Sequence, residues 1–171
     1  MFFEYRSAMK KNESAGILLY RNSNNTIEVL LVHPGGPYHV KKDLGNWTIP
    51  KGLIDEAEDR LVAAKREFFE ETGQELVRKE FIELHPVKQK AGKTVYAWAA
   101  EGDLDATAIK SNIFKMEYPY KSGKWIDVPE IDRAEWFDTE TAKQKINAAQ
   151  AAFIDELLTI LNGSRQKLRQ D

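Results

Sequence analysis

The stretch GLIDEAEDRLVAAKREFFEETG, which runs from Gly52 to Gly73, decides how this chain folds. Its later part, residues 60–72, holds no Gly or Pro and is rich in Ala, Glu, Lys and Arg, which favours an α-helix. Asp59 is a good N-cap, and Gly73 suits the left-handed position that follows a helix. One apolar face is predicted for this helix, made of Leu61, Ala64 and Phe68 and widened by Val62 and Phe69.

Three acidic residues of that helix, Glu67, Glu70 and Glu71, stand at positions i, i+3 and i+4. This spacing places them within an arc of about 100°, which we expect to lie roughly opposite the apolar face. Like charges this close destabilise a helix by roughly a few tenths of a kcal/mol per pair, and a bound divalent cation would remove that penalty. The alternative is an ordinary solvated helix face without a ligand.

The charged and glycine residues around this cluster stand at fixed distances. Five residues separate Gly52 from Glu58 and seven more precede Arg66, so the pattern is Gly-x5-Glu-x7-Arg-Glu-Phe-x-Glu-Glu-x-Gly. This pattern resembles the signature of the Nudix hydrolase family. One departure is Gln74, where the family usually has an aliphatic residue that packs rather than reacts. The resemblance implies an α/β fold, the Nudix α/β/α sandwich with a mixed central sheet.

The resemblance also implies roles for these residues. A Mg²⁺ ion (or Mn²⁺) would be held by oxygen atoms of four of them, Gly52, Glu67, Glu70 and Glu71. Glu70 and Glu71 would in addition be catalytic, because a carboxylate must orient the attacking water or accept its proton. Glu58 and Arg66 would support the site, since Arg66 can pair with a carboxylate and fix its orientation.

A further catalytic carboxylate is expected outside this stretch. Many Nudix enzymes use an additional Glu from a loop before a strand that carries a Trp, and here Glu130 lies six residues before Trp136. The rival candidate is Glu117, which adjoins Tyr118 and Pro119. The alternative for Glu130 is an ordinary loop acid that follows a proline.

Two residues are expected to bind substrate. Lys51 can meet a phosphate oxygen as a point charge, although a solvated surface lysine is the alternative. The sequence Trp-x-x-Pro-Lys-Gly around it looks closer to Nudix enzymes acting on dinucleoside polyphosphates or diphosphoinositol phosphates than to those with Pro-Gly-Gly. Tyr118 can stack on a base. Three further aromatic residues could do the same if they do not simply pack, Tyr38, Tyr120 and Trp125.

The remaining chain predicts strands and helices in one domain. Strands are expected at residues 14–20, 26–33, 75–84, 94–100, 113–118 and 133–137, with a short extended piece at 47–49. Two C-terminal helices are expected, the first capped by Asp138 or Thr139 and the second by Asn147. The second helix is predicted to end at Asn162. The chain divides into an N-terminal arm or leading strand (1–12), a Nudix hydrolase domain (13–163) and a charged tail (164–171).

Composition restricts the classes of function. The chain has 171 residues, 25 Lys and Arg against 27 Asp and Glu, a net charge of −2 and no Cys. The charge argues against a protein held to nucleic acid by its global charge, and the missing Cys excludes a disulfide scaffold and a cysteine nucleophile. The longest early apolar run, residues 15–20, is far shorter than the roughly 20 residues that cross a bilayer. We therefore expect a cytoplasmic protein without a membrane partner.

The predicted function is metal-dependent hydrolysis of a phosphoanhydride bond by water attack on phosphorus. The substrate is expected to be a small phosphorylated molecule linked to a nucleoside diphosphate, with a nucleoside or dinucleoside polyphosphate preferred. A nucleotide sugar, an oxidised nucleoside triphosphate and an inositol pyrophosphate remain open. The alternative from another class is a nucleotide-binding or regulatory module of the same fold without turnover. The sequence leaves the oligomeric state open.

Overall fold

Eight strands and three helices form from the residues that the computed structural model describes, 12–77 and 80–168. The strands are β1 (Glu13–Ser23), β2 (Thr26–Pro34), β3 (Lys51–Leu53), β4 (Ile82–Lys88), β5 (Thr94–Glu101), β6 (Ile113–Glu117), β7 (Trp125–Pro129) and β8 (Ile131–Asp138). The helices are α1 (Arg60–Thr72), α2 (Thr139–Lys145) and α3 (Ala151–Leu168). The predicted N-terminal arm lies outside the described residues except for Asn12.

A mixed sheet forms the middle layer, with the order β4-β5-β1-β2-β8 and with β3 paired to β1. Only the β1–β5 pair is parallel among these described pairings; the others are antiparallel. Strand β1 is central and buried on both faces, which explains its continuous apolar run instead of an alternating one. Its successive side chains point to opposite faces, so Ile17 enters one core and Leu18 the other.

One core lies between the sheet and α1, and the other between the sheet and the two C-terminal helices. Ala64 and Phe68 of α1 pack against the first face of the sheet, whereas Phe153 and Leu157 of α3 pack against the second. The predicted α/β/α sandwich with a mixed central sheet is therefore confirmed. Among the described residues, no helix is long and apolar enough to cross a membrane.

Helix α1 has the bounds that the sequence predicts, because both of its ends are determined locally. The Asp59 carboxylate accepts hydrogen bonds from the backbone N–H groups of Leu61 and Val62, and Gly73 ends the helix at φ 72°. The predicted burial is partly wrong, since Val62 and Phe69 are 56% and 49% exposed.

The position predicted for the acidic cluster is also wrong. Glu67 and Glu71 do not lie opposite the apolar face; each is only 8% exposed, on the side of α1 that packs towards β1 and β3. The physical reason is the rotation of 100° per residue, which puts Glu71 beside Ala64 rather than across the helix from it. The sheet covers these two carboxylates, and Val62 and Phe69 turn towards solvent instead.

The strand predicted at residues 75–84 is displaced. It begins at Ile82 and continues through Pro86, while the residues directly after α1 form no regular structure. Pro86 is tolerated because β4 is an edge strand whose register shifts between Leu84 and Val87.

Two further elements differ from the prediction. No strand is predicted between residues 118 and 133, but β7 lies there and pairs with β6. The two strands form a separate two-stranded sheet, which we call the hairpin (residues 113–129). Helix α3 does not end at Asn162 but continues through Gly163 to Leu168. A glycine inside a helix is unfavourable by only about 1 kcal/mol relative to alanine, so Gly163 weakens α3 without ending it.

Candidate active site

A cavity of about 780 Å³ opens where α1, β3, the loop after β2 and the hairpin meet. The ionisable groups expected at a phosphate site line it together: Lys51, Arg66, Glu67, Glu70, Glu71 and Glu130. A second group of lining residues is aromatic or apolar, Pro34, Tyr38, Leu53, Phe114 and Met116. The fold therefore brings Glu130 to the three glutamates of α1, from which it is separated by about sixty residues of sequence.

Gly52 allows the backbone of β3 to lie directly against a carboxylate of α1. A Cβ atom at this position would stand 2.0 Å from Glu67 Oε2. Any residue other than glycine would therefore displace the Glu67 carboxylate. The signature therefore requires glycine here because of this close approach, and not because of an unusual backbone angle.

Arg66 connects the segment before α1 with the acidic cluster. Its Nε and Nη2 atoms donate to the two carboxylate oxygens of Glu58 at 2.8 and 2.9 Å, and Nη2 also donates to the Leu53 carbonyl at 3.0 Å. Its Nη1 atom donates to Glu67 Oε1 at 2.7 Å and lies 3.3 Å from the Glu70 oxygens. The two hydrogen bonds from Arg66 lower the pKa of Glu58. This arrangement fits the supporting role predicted for Glu58 and Arg66.

Lys51 and Glu71 form a pair at the inner end of the cavity. Glu71 Oε2 accepts a hydrogen bond of 2.9 Å from the backbone N–H of Lys51. Burial raises the pKa of the Glu71 carboxyl, and the Lys51 charge opposes that shift. Burial likewise lowers the pKa of the Lys51 amine, and the Glu71 charge opposes it. Each charge therefore partly compensates for the removal of the other from water.

Two more carboxyls are perturbed in the same cavity. Burial raises the pKa of Glu67 to about 7, despite the opposing Arg66, and the charges of Glu70 and Glu130 add to the rise. Burial and the Glu70 charge raise the pKa of Glu130 as well. Strongly perturbed carboxyls in a cleft are typical of catalytic or ligand-binding sites.

Glu130 occupies the turn between β7 and β8, and backbone contacts hold that turn on both sides. Its N–H donates to the Asn112 carbonyl at 2.9 Å, and its own carbonyl accepts a 2.9 Å hydrogen bond from the Gly35 N–H. The rival Glu117 does not line the cavity, because its carboxylate accepts from the Gly123 N–H at the tip of the hairpin. The geometry therefore favours Glu130 as the additional carboxylate.

The family model for the NUDIX domain matches residues 10–157 of the chain. The chain belongs to the Nudix family. As a Nudix-type pyrophosphohydrolase, it is an enzyme that cleaves phosphoanhydride bonds.

Individual Nudix relatives are similar over most of the chain. The asymmetrical bis(5'-nucleosyl)-tetraphosphatase of Rattus norvegicus is 31% identical over 137 residues, which cover 73% of this chain and 85% of the relative. The protein of the same name from Caenorhabditis elegans is 27% identical over 150 residues, which cover 82% and 98% of the two chains. A crystal structure of a C. elegans Ap4A hydrolase binary complex superposes with a TM-score of 0.65 at 24% identity, covering 88% of this chain and 98% of that one. That superposition supports the fold.

Nudix hydrolases generally use divalent metal ions, and the carboxylates of this cavity fit such an ion in their chemistry. They are hard oxygen donors, and burial has raised the pKa of Glu67 and Glu71, so a cation beside them would stabilise their ionised forms. As placed, no three His, Cys, Asp or Glu side chains in the described residues are arranged to hold an ion. Arg66 Nη1 instead contacts both Glu67 and Glu70.

One predicted substrate residue is not brought to the cavity. Tyr118 does not line it, and its ring instead packs edge-to-face against Tyr38 at 5.5 Å between centroids. Among the lining residues that sequence reasoning missed are Phe114 and Met116 of β6. Their spacing of two residues, which puts both on one face of a strand, is a signal that could have found them.

The fully buried His33 supports the loop beside the cavity. Its Nδ1 atom lies 2.8 Å from Asp132 Oδ1, and its Nε2 atom lies 2.7 Å from the Lys42 carbonyl oxygen. These contacts tie the loop of residues 35–46 to β2 and β8. Sequence reasoning missed this position because an isolated histidine carries no local pattern.

Proposed function

We propose that this enzyme hydrolyses a dinucleoside polyphosphate asymmetrically, using Mg²⁺ or Mn²⁺, and that it does so in the cytoplasm. The observation that carries the proposal is the convergence of four glutamates and Lys51 in one cavity. The names of the rat and nematode relatives, both asymmetrical tetraphosphatases, support this substrate class over the nucleotide sugars and inositol pyrophosphates.

The residues divide the chemistry between them. Glu67, Glu70 and Glu71, with the Gly52 carbonyl, would hold the ion, which neutralises phosphoryl oxygens and lowers the pKa of water. Lys51 contacts a phosphate oxygen of the substrate as a point charge. Arg66 and Glu58 keep α1 and the segment before it in register.

Glu130 orients the attacking water and accepts its proton. The water oxygen forms a bond to phosphorus, the bridging P–O bond breaks, and the leaving phosphate departs with the electron pair. Burial beside Glu70 raises the pKa of Glu130, which makes this carboxylate a better proton acceptor than an exposed one. A dinucleoside tetraphosphate cleaved in this way yields a nucleoside triphosphate and a nucleoside monophosphate.

The test is a substrate panel with Mg²⁺ and, separately, Mn²⁺, with the products separated by ion-exchange chromatography. The panel contains a dinucleoside tetraphosphate, a nucleoside triphosphate, a nucleotide sugar and a diphosphoinositol phosphate. We expect the dinucleoside to have the highest kcat/KM and to give unequal products. Glu71→Gln and Glu130→Gln should each lower kcat by about 10² or more, given what such groups supply.

The matched control is Glu83→Gln, because Glu83 is an exposed acid on β4 outside the cavity. It should retain the wild-type rate. Absence of turnover of every compound in the panel would contradict the proposal and favour the module without turnover. A Glu130→Gln enzyme with an unchanged kcat would remove Glu130 from the reaction.

A further inference from the structure

We propose that Tyr38, Phe114 and Met116 form a subsite that binds one nucleobase of the substrate. This inference rests on the proposed function, because it names the part of the cavity that takes the nucleoside. The three side chains form much of the apolar lining of the same cavity whose other lining is charged. A cavity of about 780 Å³ with two such chemistries suits a ligand that is anionic at one end and aromatic at the other.

Neither aromatic ring is part of the two cores of the fold. Tyr38 is 46% exposed and Phe114 is 39% exposed. Large rings that stay in contact with water raise the free energy of the folded protein relative to a buried position. Because both rings lie at the cavity, stacking on a base would remove their exposed surfaces from water.

The loop that carries Tyr38 is held firmly at several points. The Gly35 N–H donates to the Glu130 carbonyl, and the N–H groups of His39 and Val40 both donate to the Gly36 carbonyl at 3.1 Å. Farther along the loop, the buried His33 contacts the Lys42 carbonyl. Tyr118 then packs edge-to-face on the Tyr38 ring. A ring held in this way binds with little loss of conformational entropy.

Phe114 and Met116 are coupled to the catalytic carboxylate through the backbone. They lie on one face of β6, and β6 pairs residue for residue with β7. The Glu130 N–H donates to the carbonyl of Asn112, which directly precedes β6. The apolar lining and Glu130 are therefore joined through the backbone of one hairpin, so a base bound there would position the phosphate chain relative to that carboxylate.

The experiment compares a substrate that has bases with one that has none. Steady-state kinetics with Mg²⁺ are measured for a dinucleoside tetraphosphate and for ribose 5-triphosphate, which keeps the phosphates and lacks the base. The variants are Tyr38→Leu and Phe114→Leu, which remove the ring and keep an apolar side chain. The control is Ile113→Ala, because Ile113 is 68% exposed on the same strand and does not line the cavity.

We expect Tyr38→Leu and Phe114→Leu each to raise KM for the dinucleoside by about 5- to 100-fold, the usual effect of losing one stacked base. KM for ribose 5-triphosphate should stay at the wild-type value, as should both values in the control. Calorimetry with a methylene-bridged, non-hydrolysable dinucleoside analogue should show the same loss of affinity. An equal rise of KM for both substrates, or no rise for either, would overturn the subsite.

The two proposals fail in different ways. If the wild-type enzyme hydrolyses neither compound, the proposed function fails, and the calorimetric comparison of wild type and Tyr38→Leu still decides the subsite. If the wild type hydrolyses both compounds and Tyr38→Leu binds the analogue as tightly as wild type, only the subsite is wrong.

Discussion

Replacement of Glu67 by glutamine should make the metal-free protein more stable at alkaline pH while it damages the site. The Glu67 side chain is only 11% exposed, and burial raises its pKa from 4.5 to about 7. The folded protein therefore binds a proton more tightly than the unfolded chain, so the free energy of unfolding falls as the pH rises from about 4.5 to about 7. Glutamine has no charge to bury and avoids this loss.

The magnitude follows from the shift. A rise of the pKa from 4.5 to about 7 is worth at most about 3.4 kcal/mol. Because solvent screens part of this charge, we expect Glu67→Gln to raise the free energy of unfolding by about 2 kcal/mol at pH 8. For a chain of this length that corresponds to a rise in Tm of roughly 4–8 °C. At pH 5 most of the difference should vanish.

Urea denaturation with EDTA at pH 5 and pH 8 measures the effect. Glu83→Gln, an exposed acid on β4, is the matched control and should equal the wild type at both values. The reasoning is refuted if Glu67→Gln is no more stable than wild type at pH 8. It is equally refuted if the variant has the same advantage at pH 5, because the effect would then not come from ionisation.

Three further predictions concern the same framework. In a thermal melt at pH 8, Mg²⁺ at about ten to thirty times its Kd should stabilise the wild type by about 1–2 kcal/mol. The Glu71→Gln variant should not gain this stability, and equal stabilisation of both proteins would contradict the proposed metal site. The Cβ atom added by Gly52→Ala would stand 2.0 Å from Glu67 Oε2. This variant should lower kcat/KM by about 10² and the free energy of unfolding by about 1–3 kcal/mol. Wild-type kinetics of the variant would refute this prediction. Gly163→Ala, with nothing within 4 Å, should raise the urea midpoint through a gain of up to about 1 kcal/mol.

The sequence predicted the helix ends well and the burial around that helix poorly. Asp59 and Gly73 act through neighbouring backbone groups, so their effect is visible within a few residues. The helical repeat puts Glu71 on the same side as Ala64. That this side can bury carboxylates depends on β3 and on the close approach of Gly52 to Glu67, which the repeat does not encode.

The charged half and the apolar half of the candidate site also differed in how well the sequence predicted them. The charged half came from a fixed spacing in one short stretch, and Glu130 came from its distance to Trp136. The apolar half joins Tyr38 to Phe114, which are separated by about seventy-five residues and meet only because the hairpin lies beside the loop after β2. No local pattern specifies such a contact, so the sequence could point to Tyr118 and, among three further aromatic residues, to Tyr38, but not to Phe114.

The triple pairing of β1 has a consequence for how substrate enters. Because β1 bonds to β2 and β5 and also to β3, the residues Lys51 and Gly52 are part of the best-connected region of the sheet. The Lys51 N–H does not take part in this pairing; it donates to the Glu71 carboxylate of α1 at 2.9 Å. The floor of the cavity is therefore anchored both to the sheet and to α1. A long, flexible polyphosphate must therefore adapt its own conformation to that floor as it enters the cavity.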